Sequence, residues 1–142
     1  MVEVALRTMI DDISKAYPQL AWEVNVSPDL KVSADAGMLR QVLMNLVKNA
    51  IEANALKLLI DVLEDSLHDK QVSLYIGNDG LPIPAENRQS LFVPFFTTKQ
   101  SGSGIGLSLS RRMVIQQGGM LELADTPRHG CHVAFVLSLQ VL

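Results

Sequence analysis

The chain has 142 residues, a length that suits one domain with its own hydrophobic core. Hydrophobic residues make up 48% and charged residues 19%, which excludes an intrinsically disordered chain. The formal net charge is −3 and no basic stripe is present, so we expect no nucleic-acid partner. The single cysteine, Cys131, fits a reducing compartment, and no segment reads as a membrane span or signal peptide. We therefore expect a cytoplasmic domain, and if a membrane matters to the parent protein, its anchor is expected outside this chain.

The first part of the chain predicts a helix, two strands and a second helix. Residues 3 to about 15 place apolar side chains at roughly helical spacing, and Pro18 marks the end of this helix. The segment "LAWEVNVS" alternates in polarity, and "LKVSA" follows it after a turn-forming "SPD", which predicts a hairpin. Asp35 stands where an N-cap would, and the second helix runs from it to about Ala53.

The second part predicts strands, a turn-rich segment, a glycine loop and a third helix. "LKLLIDVLED" and "KQVSLYIG" predict two strands joined by a polar turn around His68. The aromatic segment "SLFVPFFTTK", interrupted by Pro94, precedes the glycine loop "SGSGIG" and the predicted helix "IGLSLSRRMVIQQ", which Gly118 and Gly119 end. "MLELAD" and "CHVAFVLSLQV" predict the last strands. The predicted fold class is α+β, a mixed and mostly antiparallel sheet covered on one face by helices.

The second predicted helix carries Asn45 and Asn49 in its middle. Asparagine is a poor interior helix former, and these two residues, four apart, point the same way. A solvated helix face is one interpretation, although Glu, Lys or Gln would suit such a face better. Asparagine carbonyls are also good ligands for Mg²⁺, which takes only one or two protein oxygens and leaves the rest to phosphates and water. The pair therefore indicates a site with one amide on Mg²⁺ and the other near phosphates.

Two glycine segments are further candidates for a binding site. Gly102, Gly104 and Gly106 alternate just before a predicted helix, where backbone N–H groups and the helix N-terminus favour a phosphate. A flexible surface turn explains this loop equally well, and it matches neither the dinucleotide nor the Walker pattern. In "IGNDGLPIP", Asn78 lies at the end of a strand and Gly80 permits a turn that a side chain would block, although an ordinary turn is the commoner meaning.

Taken in order, these segments resemble the ATP-binding catalytic domain of sensor histidine kinases, of the superfamily shared with DNA gyrase, heat-shock chaperone and mismatch-repair ATPases. "LRQVLMNLVKNAIEA" is similar to the N box, "NDGLPIP" to the first glycine box, "LFVPFFTTK" to the phenylalanine box and "GSGIGLSLSRRMVIQQGG" to the second glycine box. The resemblance covers about residues 30 to 139. It implies a two-layer α/β sandwich with a flexible ATP lid, and ATP and Mg²⁺ as cofactors. It also implies that residues 1–20 are a helix or linker from a missing dimerisation domain and that residues 21–142 are the ATP-binding domain.

The resemblance assigns roles to individual residues. Asn49 is expected to hold Mg²⁺, and Asn45 to lie beside the phosphates as the catalytic residue. Asn78 stands where the family has an Asp that accepts a hydrogen bond from the adenine amine, and Pro82 replaces a glycine. The other expected nucleotide-binding residues belong to the three later boxes: Gly80, Pro82, Ile83, Thr98, Lys99, Gly102, Ser103, Gly104, Ile105, Gly106 and Leu107.

The residue one turn before Asn49 distinguishes a kinase from a hydrolase. Hydrolytic relatives carry there a Glu that activates water, whereas Asn45 cannot take a proton, and a general base is worth roughly 10²–10⁴-fold. A neutral imidazole has its own lone pair and attacks unaided. We therefore expect γ-phosphoryl transfer to a histidine, in two-component signal transduction. His68, His129 and His132 are predicted to be surface residues and not the acceptor.

The acceptor is expected on a separate dimerisation domain of the parent, which would be a homodimer and would act on a response regulator. This fragment is expected to be monomeric. Two alternatives stay open: a protein serine kinase of the anti-sigma type, which shares these boxes, and a non-catalytic nucleotide-binding module in which Asn78 and Pro82 mark decay of the site.

Overall fold

The computed structural model describes residues 1–63, 70–94 and 106–142. In chain order the elements are β1 (Val2–Ala5), α1 (Leu6–Ala16), β2 (Ala21–Asn25), β3 (Lys31–Ala34), α2 (Ala36–Glu52), β4 (Lys57–Leu63), β5 (Gln71–Asn78), a 3₁₀-helix (Ala85–Ser90), α3 (Gly106–Gln116), β6 (Met120–Leu123) and β7 (Val133–Val141). The strands form one sheet in the order β1–β3–β7–β5–β4–β2, with β6 also paired to β7. Only β2 and β4 pair in parallel among these strands. The predicted mixed, mostly antiparallel sheet is therefore confirmed.

The helices cover one face of the sheet. Alternate residues of β5 point to opposite faces, and Val72, Leu74 and Ile76 join the main core with the apolar stripes of the helices. On the opposite face, Tyr75 belongs to a small second cluster with Leu59, Cys131 and Ala134. The predicted two-layer arrangement follows from this one-sided burial. No helix within the described ranges is long and apolar enough to cross a membrane.

The N-terminal segment differs from its prediction as one helix. Val2–Ala5 forms a strand that pairs antiparallel with β3, and the helix begins only at Leu6. Helical spacing was correct for α1, whose buried side chains include Met9, Ile10 and Ile13. Residues 2–16 therefore contribute an edge strand and core side chains to the same sheet as the rest of the chain. Their relation to a dimerisation domain stays a prediction.

The predicted hairpin between β2 and β3 is wrong. β2 pairs in parallel with β4, whereas β3 pairs with β1 and β7, and three strands separate the two in the sheet. The guanidinium of Arg7 in α1 donates hydrogen bonds to the carbonyl oxygens of Val24 (3.2 Å) and Val26 (3.0 Å). Val26 is 3% exposed and belongs to the main core, so the chain just after β2 packs inside the domain and beside α1.

The ends of α2 and α3 follow the predicted capping chemistry. Asp35 caps α2 through its Oδ1, which accepts a hydrogen bond from the N–H of Met38 (3.0 Å). The N–H of Asp35 donates to Oε1 of Gln117 (2.9 Å), so the start of α2 is tied to the end of α3. Gly118, at a φ of 80°, supplies the left-handed residue that ends α3. The predicted turn around His68, and Phe95 and Phe96, lie outside the described residues.

Gly119 should tolerate no larger side chain, because a Cβ at this position would overlap the carbonyl oxygen of Ser138. We expect Gly119→Ala to lower the free energy of unfolding by about 1–3 kcal/mol, as overpacking does. In the matched control, Gly37→Ala, the new Cβ has only an ordinary contact at 3.5 Å and lies in a helix. That variant should be neutral or gain up to about 1 kcal/mol. Urea unfolding measures both, and equal stabilities of the two variants would contradict the expectation.

Candidate functional site

Helix α2 forms one wall of the candidate site. Asn45, Asn49 and Ala53 follow one another at four-residue spacing along the same side of the helix. The first of them contacts the start of α3, and the last contacts the turn after β5. Eight residues of helix separate these two contacts by about 12 Å. Asn49, which is half-buried, lies midway between them.

The amide of Asn45 bridges α2 and α3. Its Oδ1 accepts a hydrogen bond from Nε2 of Gln41 (2.9 Å). Its Nδ2 donates to Oγ of the fully buried Ser110 (2.9 Å) and lies 3.5 Å from the carbonyl oxygen of Gly106. A carboxylate at this position has no hydrogen to donate and would face that carbonyl with a like partial charge. The contact with the carbonyl oxygen of Gly106, which can only accept, therefore favours an amide at residue 45 over a carboxylate.

The N-terminus of α3 is suited to an anion. The first N–H groups of a helix have no partner within the helix, and its dipole makes this end positive. No acidic residue lies in the first turn of α3. Gly106 is exposed, and a Cβ on it would meet no atom of the described residues within 4 Å. Among the described residues, no packing contact requires a glycine at position 106, and a phosphate at this helix end stays a prediction.

The turn after β5 is pressed against the end of α2. A Cβ on Gly80 would lie 2.8 Å from the carbonyl oxygen of Ala53 and 2.9 Å from its Cβ. The N–H of Leu81 donates to the same carbonyl oxygen (2.8 Å). Gly80 is therefore needed for close approach, which confirms the prediction that a side chain would block this turn. Asn78 is only 5% exposed, and its Oδ1 accepts a hydrogen bond from the N–H of Gly80 (2.8 Å).

Asp79 has a structural role that the sequence did not reveal. Its Oδ1 accepts hydrogen bonds from the N–H groups of Leu56 (2.8 Å) and Lys57 (2.9 Å), which lie where the chain enters β4. These bonds, the one from Lys57 above all, lower the pKa of Asp79 below its ordinary 3.8, and the nearby His132 lowers it further. Asp79 thus orders the connection between α2 and β4. An Asp at a strand end signals a turn, but its partners come from residues more than twenty positions away.

The remaining predicted site residues fall into two groups. Pro82 is exposed and Ile83 is half-buried against the main core, as is Leu107 in the first turn of α3. Thr98, Lys99, Gly102, Ser103, Gly104 and Ile105, and with them the predicted lid, lie outside the described residues. Their roles stay predictions.

Phe92 connects the aromatic segment to α3. Its ring packs edge-on against Phe135 at 6.4 Å, and the guanidinium of Arg111 lies 4.2 Å from its centre. A cation over an aromatic face contributes about 0.5–1 kcal/mol at an exposed site. The described end of the phenylalanine segment is therefore held beside the helix that begins at Gly106, and the half-buried Phe92 packs against the main core.

The side chains near α2 would bind Mg²⁺ only together with the phosphates of a nucleotide. In the described parts of the chain there is no cluster of three or more His, Cys, Asp or Glu side chains that would hold a metal by itself. Mg²⁺ is commonly bound through one or two protein oxygens, with phosphates and water completing its octahedron. Asn49 is half-buried and carries an amide oxygen of this kind, and its binding of Mg²⁺ stays a prediction.

Comparisons with known proteins agree with this geometry. The chain matches the family of histidine kinase-, DNA gyrase B- and HSP90-like ATPases over residues 34–141. It is 33% identical over 108 residues to the signal transduction histidine-protein kinase AtoS of Escherichia coli (strain K12), covering 76% of this chain and 18% of AtoS. The nucleotide-free catalytic domain of histidine kinase ThkA matches with a TM-score of 0.81 and 31% identity, over 98% of this chain and 94% of that one. ThkA in complex with response regulator protein TrrA matches with a TM-score of 0.75 and 29% identity, over 99% of this chain and 42% of that one.

The chain therefore belongs to the family of histidine kinase-, DNA gyrase B- and HSP90-like ATPases, and it is an ATP-binding catalytic domain of the histidine kinase type. The resemblance stated from the N box and the glycine boxes is confirmed. Family membership implies that the chain binds a nucleotide. The chain spans 18% of the length of AtoS.

The carboxylate of Asp79 should make the free energy of unfolding of the chain depend on pH in the acidic range. Because its folded pKa is below 3.8, its stabilisation is complete above pH 3.8 and is lost as the pH falls through the folded value. We expect Asp79→Asn to lower the free energy of unfolding at pH 7 by about 1 kcal/mol, since charge-assisted bonds become neutral ones. The difference from the unchanged chain should shrink below pH 3.8.

Urea unfolding at pH 7 and at pH 3 measures this difference. Asp29→Asn, the same change at an exposed turn residue, is the control. A deficit of Asp79→Asn that is equally large at both pH values would contradict the role of the ionised carboxylate.

Proposed function

We propose that the chain binds Mg-ATP along α2 and transfers the γ-phosphoryl group to a histidine on a dimerisation domain of the same sensor protein. The observation that carries this proposal is the amide of Asn45. It lies one helical turn before Asn49, where a hydrolase of this family needs a carboxylate, and it donates a hydrogen bond to Ser110. An amide at this position cannot take a proton, which suits a nucleophile that brings its own lone pair, as a neutral imidazole does.

Different residues of the chain would bind the phosphates and the Mg²⁺ ion. The first turn of α3 would take the phosphates through its N–H groups, and Asn49 would supply the protein oxygen to Mg²⁺. Asn45 would hold these two elements together through Ser110 and the backbone of Gly106. When bound, Mg²⁺ neutralises charge on the phosphate oxygens and favours phosphoryl transfer. The contribution of the chain is then mainly positioning.

The partners follow from the relatives. AtoS is a signal transduction histidine-protein kinase, and ThkA was solved with a response regulator. We therefore propose that this chain acts within a homodimeric two-component sensor whose dimerisation domain carries the acceptor histidine and whose output is a response regulator. The chain on its own is proposed to be monomeric, and any anchor of the parent in the inner membrane is proposed to lie outside it. The serine-kinase and non-catalytic alternatives are outcomes of the experiments below.

Asn49 should carry the effect of Mg²⁺ on nucleotide affinity. We expect Asn49→Ala to remove the Mg²⁺ enhancement of ATP binding, a loss of about 10- to 100-fold, which is typical even for residues that only support metal ligands. Isothermal titration with ATP, with and without Mg²⁺, measures this. The control is Lys48→Ala, at the exposed neighbouring position, which should keep the enhancement. An unchanged response to Mg²⁺ in Asn49→Ala would refute the assignment.

Phosphoryl transfer should need a second polypeptide. Incubated with labelled ATP and Mg²⁺, the chain should acquire no phosphate on His68, His129 or His132, because an in-line transfer needs its nucleophile positioned about 3–3.5 Å from phosphorus. Addition of the dimerisation domain of the parent should give slow labelling of that domain's histidine, since the reaction is then bimolecular.

The stability of the label separates the alternatives. Label that is lost in acid and kept in alkali is expected of a phosphohistidine and supports the proposal. Label on the partner that survives acid would indicate a serine kinase. Nucleotide binding without any transfer to the complete partner would indicate a non-catalytic module, and stoichiometric label on this chain alone would contradict a separate acceptor.

A further inference from the structure

The amide of Asn78 has a defined orientation. A backbone N–H can only donate, so the atom of the side chain that lies 2.8 Å from the N–H of Gly80 must be the oxygen. The Nδ2 group is then the part of this amide that is left for a partner outside the turn. A flipped amide would set two donors against each other and leave the buried N–H of Gly80 without an acceptor. The turn therefore fixes Asn78 as a hydrogen-bond donor toward its other side.

The position of Asn78 makes it a contact for the base of a nucleotide. The anion-binding end of the site is at Gly106, and the turn after β5 is at the other end of the α2 wall, about 12 Å away. The described groups around this turn include the apolar side chains of Ala53, Leu81 and Ile83, together with His132, whose Nδ1 lies 3.0 Å from the carbonyl oxygen of Gly80. With phosphates at α3, the flat and largely apolar base belongs at this turn. This placement rests on the proposed function.

We propose that Asn78 relaxes base selection, so that the chain binds 6-oxopurine nucleotides at least as tightly as adenine nucleotides. The Nδ2 group offers hydrogens, which suit the carbonyl oxygen at position 6 of hypoxanthine or guanine. The amino group at position 6 of adenine is itself a donor and would face a second donor. A carboxylate at residue 78 has the opposite preference, because its second oxygen accepts from an amino group while the first accepts from Gly80.

Inosine diphosphate is the sharpest probe of this proposal. Hypoxanthine has a carbonyl oxygen where adenine has an amino group, so the two nucleotides share size, sugar and phosphates. Isothermal titration of the complete chain with ADP and with IDP, both with Mg²⁺, gives the ratio of the two Kd values. We expect the unchanged chain to bind IDP at least as tightly as ADP.

Asn78→Asp should shift that ratio toward ADP by about tenfold or more, since a site with a mismatched polar group rejects a ligand strongly. The matched control is Gln71→Glu, which makes the same change from amide to carboxylate at the other end of β5, about 23 Å away. It should keep the ratio of the unchanged chain. If Asn78→Asp does not fold, the ratio measured on the unchanged chain still decides the proposal.

Preferential binding of ADP by the unchanged chain would overturn the proposal, because the amide would then present its oxygen to the base. A ratio that does not move in folded Asn78→Asp would overturn it as well, since residue 78 would not face the base. In both cases the proposed function survives, because nucleotide is still bound. Failure of both nucleotides to bind to either chain would instead overturn the proposed function, and this inference with it.

Discussion

The hydrogen bonds of the Asn45 amide are the interaction on which the site depends. Through Ser110 and Gly106 they fix the first turn of α3 beside the middle of α2. The N-terminus of α3, where we propose that the phosphates bind, is thereby held one helical turn from Asn49. At the other end, Gly80 presses on Ala53 so closely that a Cβ would not fit. A single helix thus sets the distance between the two ends of the proposed nucleotide site.

The hydrogen bonds of Asn45 compensate for its low helix propensity in the interior of α2. Relative to Ala, an asparagine costs a helix up to about 0.7 kcal/mol of propensity. Asn45 makes hydrogen bonds to Gln41 and Ser110, each at 2.9 Å, and such bonds contribute about 0.5–1.5 kcal/mol each. The bonds therefore offset the propensity cost of Asn45. The stability of α2 itself comes from its other side, where Leu39, Leu43 and Leu46 are buried in the core.

The sequence predicted the elements better than their partners. The N-cap at Asp35, the end of α3 at Gly118 and the common face of the two asparagines are local properties, set within a few residues of chain, and all are found. The partner of β2 is not local: Ala21 lies opposite Lys57, far along the chain, and polarity alternation does not encode such a pairing.

The same limit applies to the site. The sequence predicted that Asn45 and Asn49 share one face of a helix and that Gly80 permits a turn, but the Ser110 partner of Asn45 and the role of Asp79 depend on contacts between distant segments. The orientation of the Asn78 amide, fixed by a hydrogen bond within a turn, also needs coordinates. The residues expected in the lid stay predictions from the resemblance, because they lie outside the described part of the chain.

The most direct test of the account is a nuclear magnetic resonance titration of the ¹⁵N-labelled chain with Mg-ADP. The side-chain amides of Asn45 and Asn49 and the backbone amides of Gly80 and Gly106 should shift together, because one ligand spans the α2 wall. The backbone amide signal of Tyr75, whose side chain lies on the opposite face of the sheet, should not shift. Shifts at Tyr75 without shifts at Asn49 and Gly106 would contradict the site and with it the function that we propose.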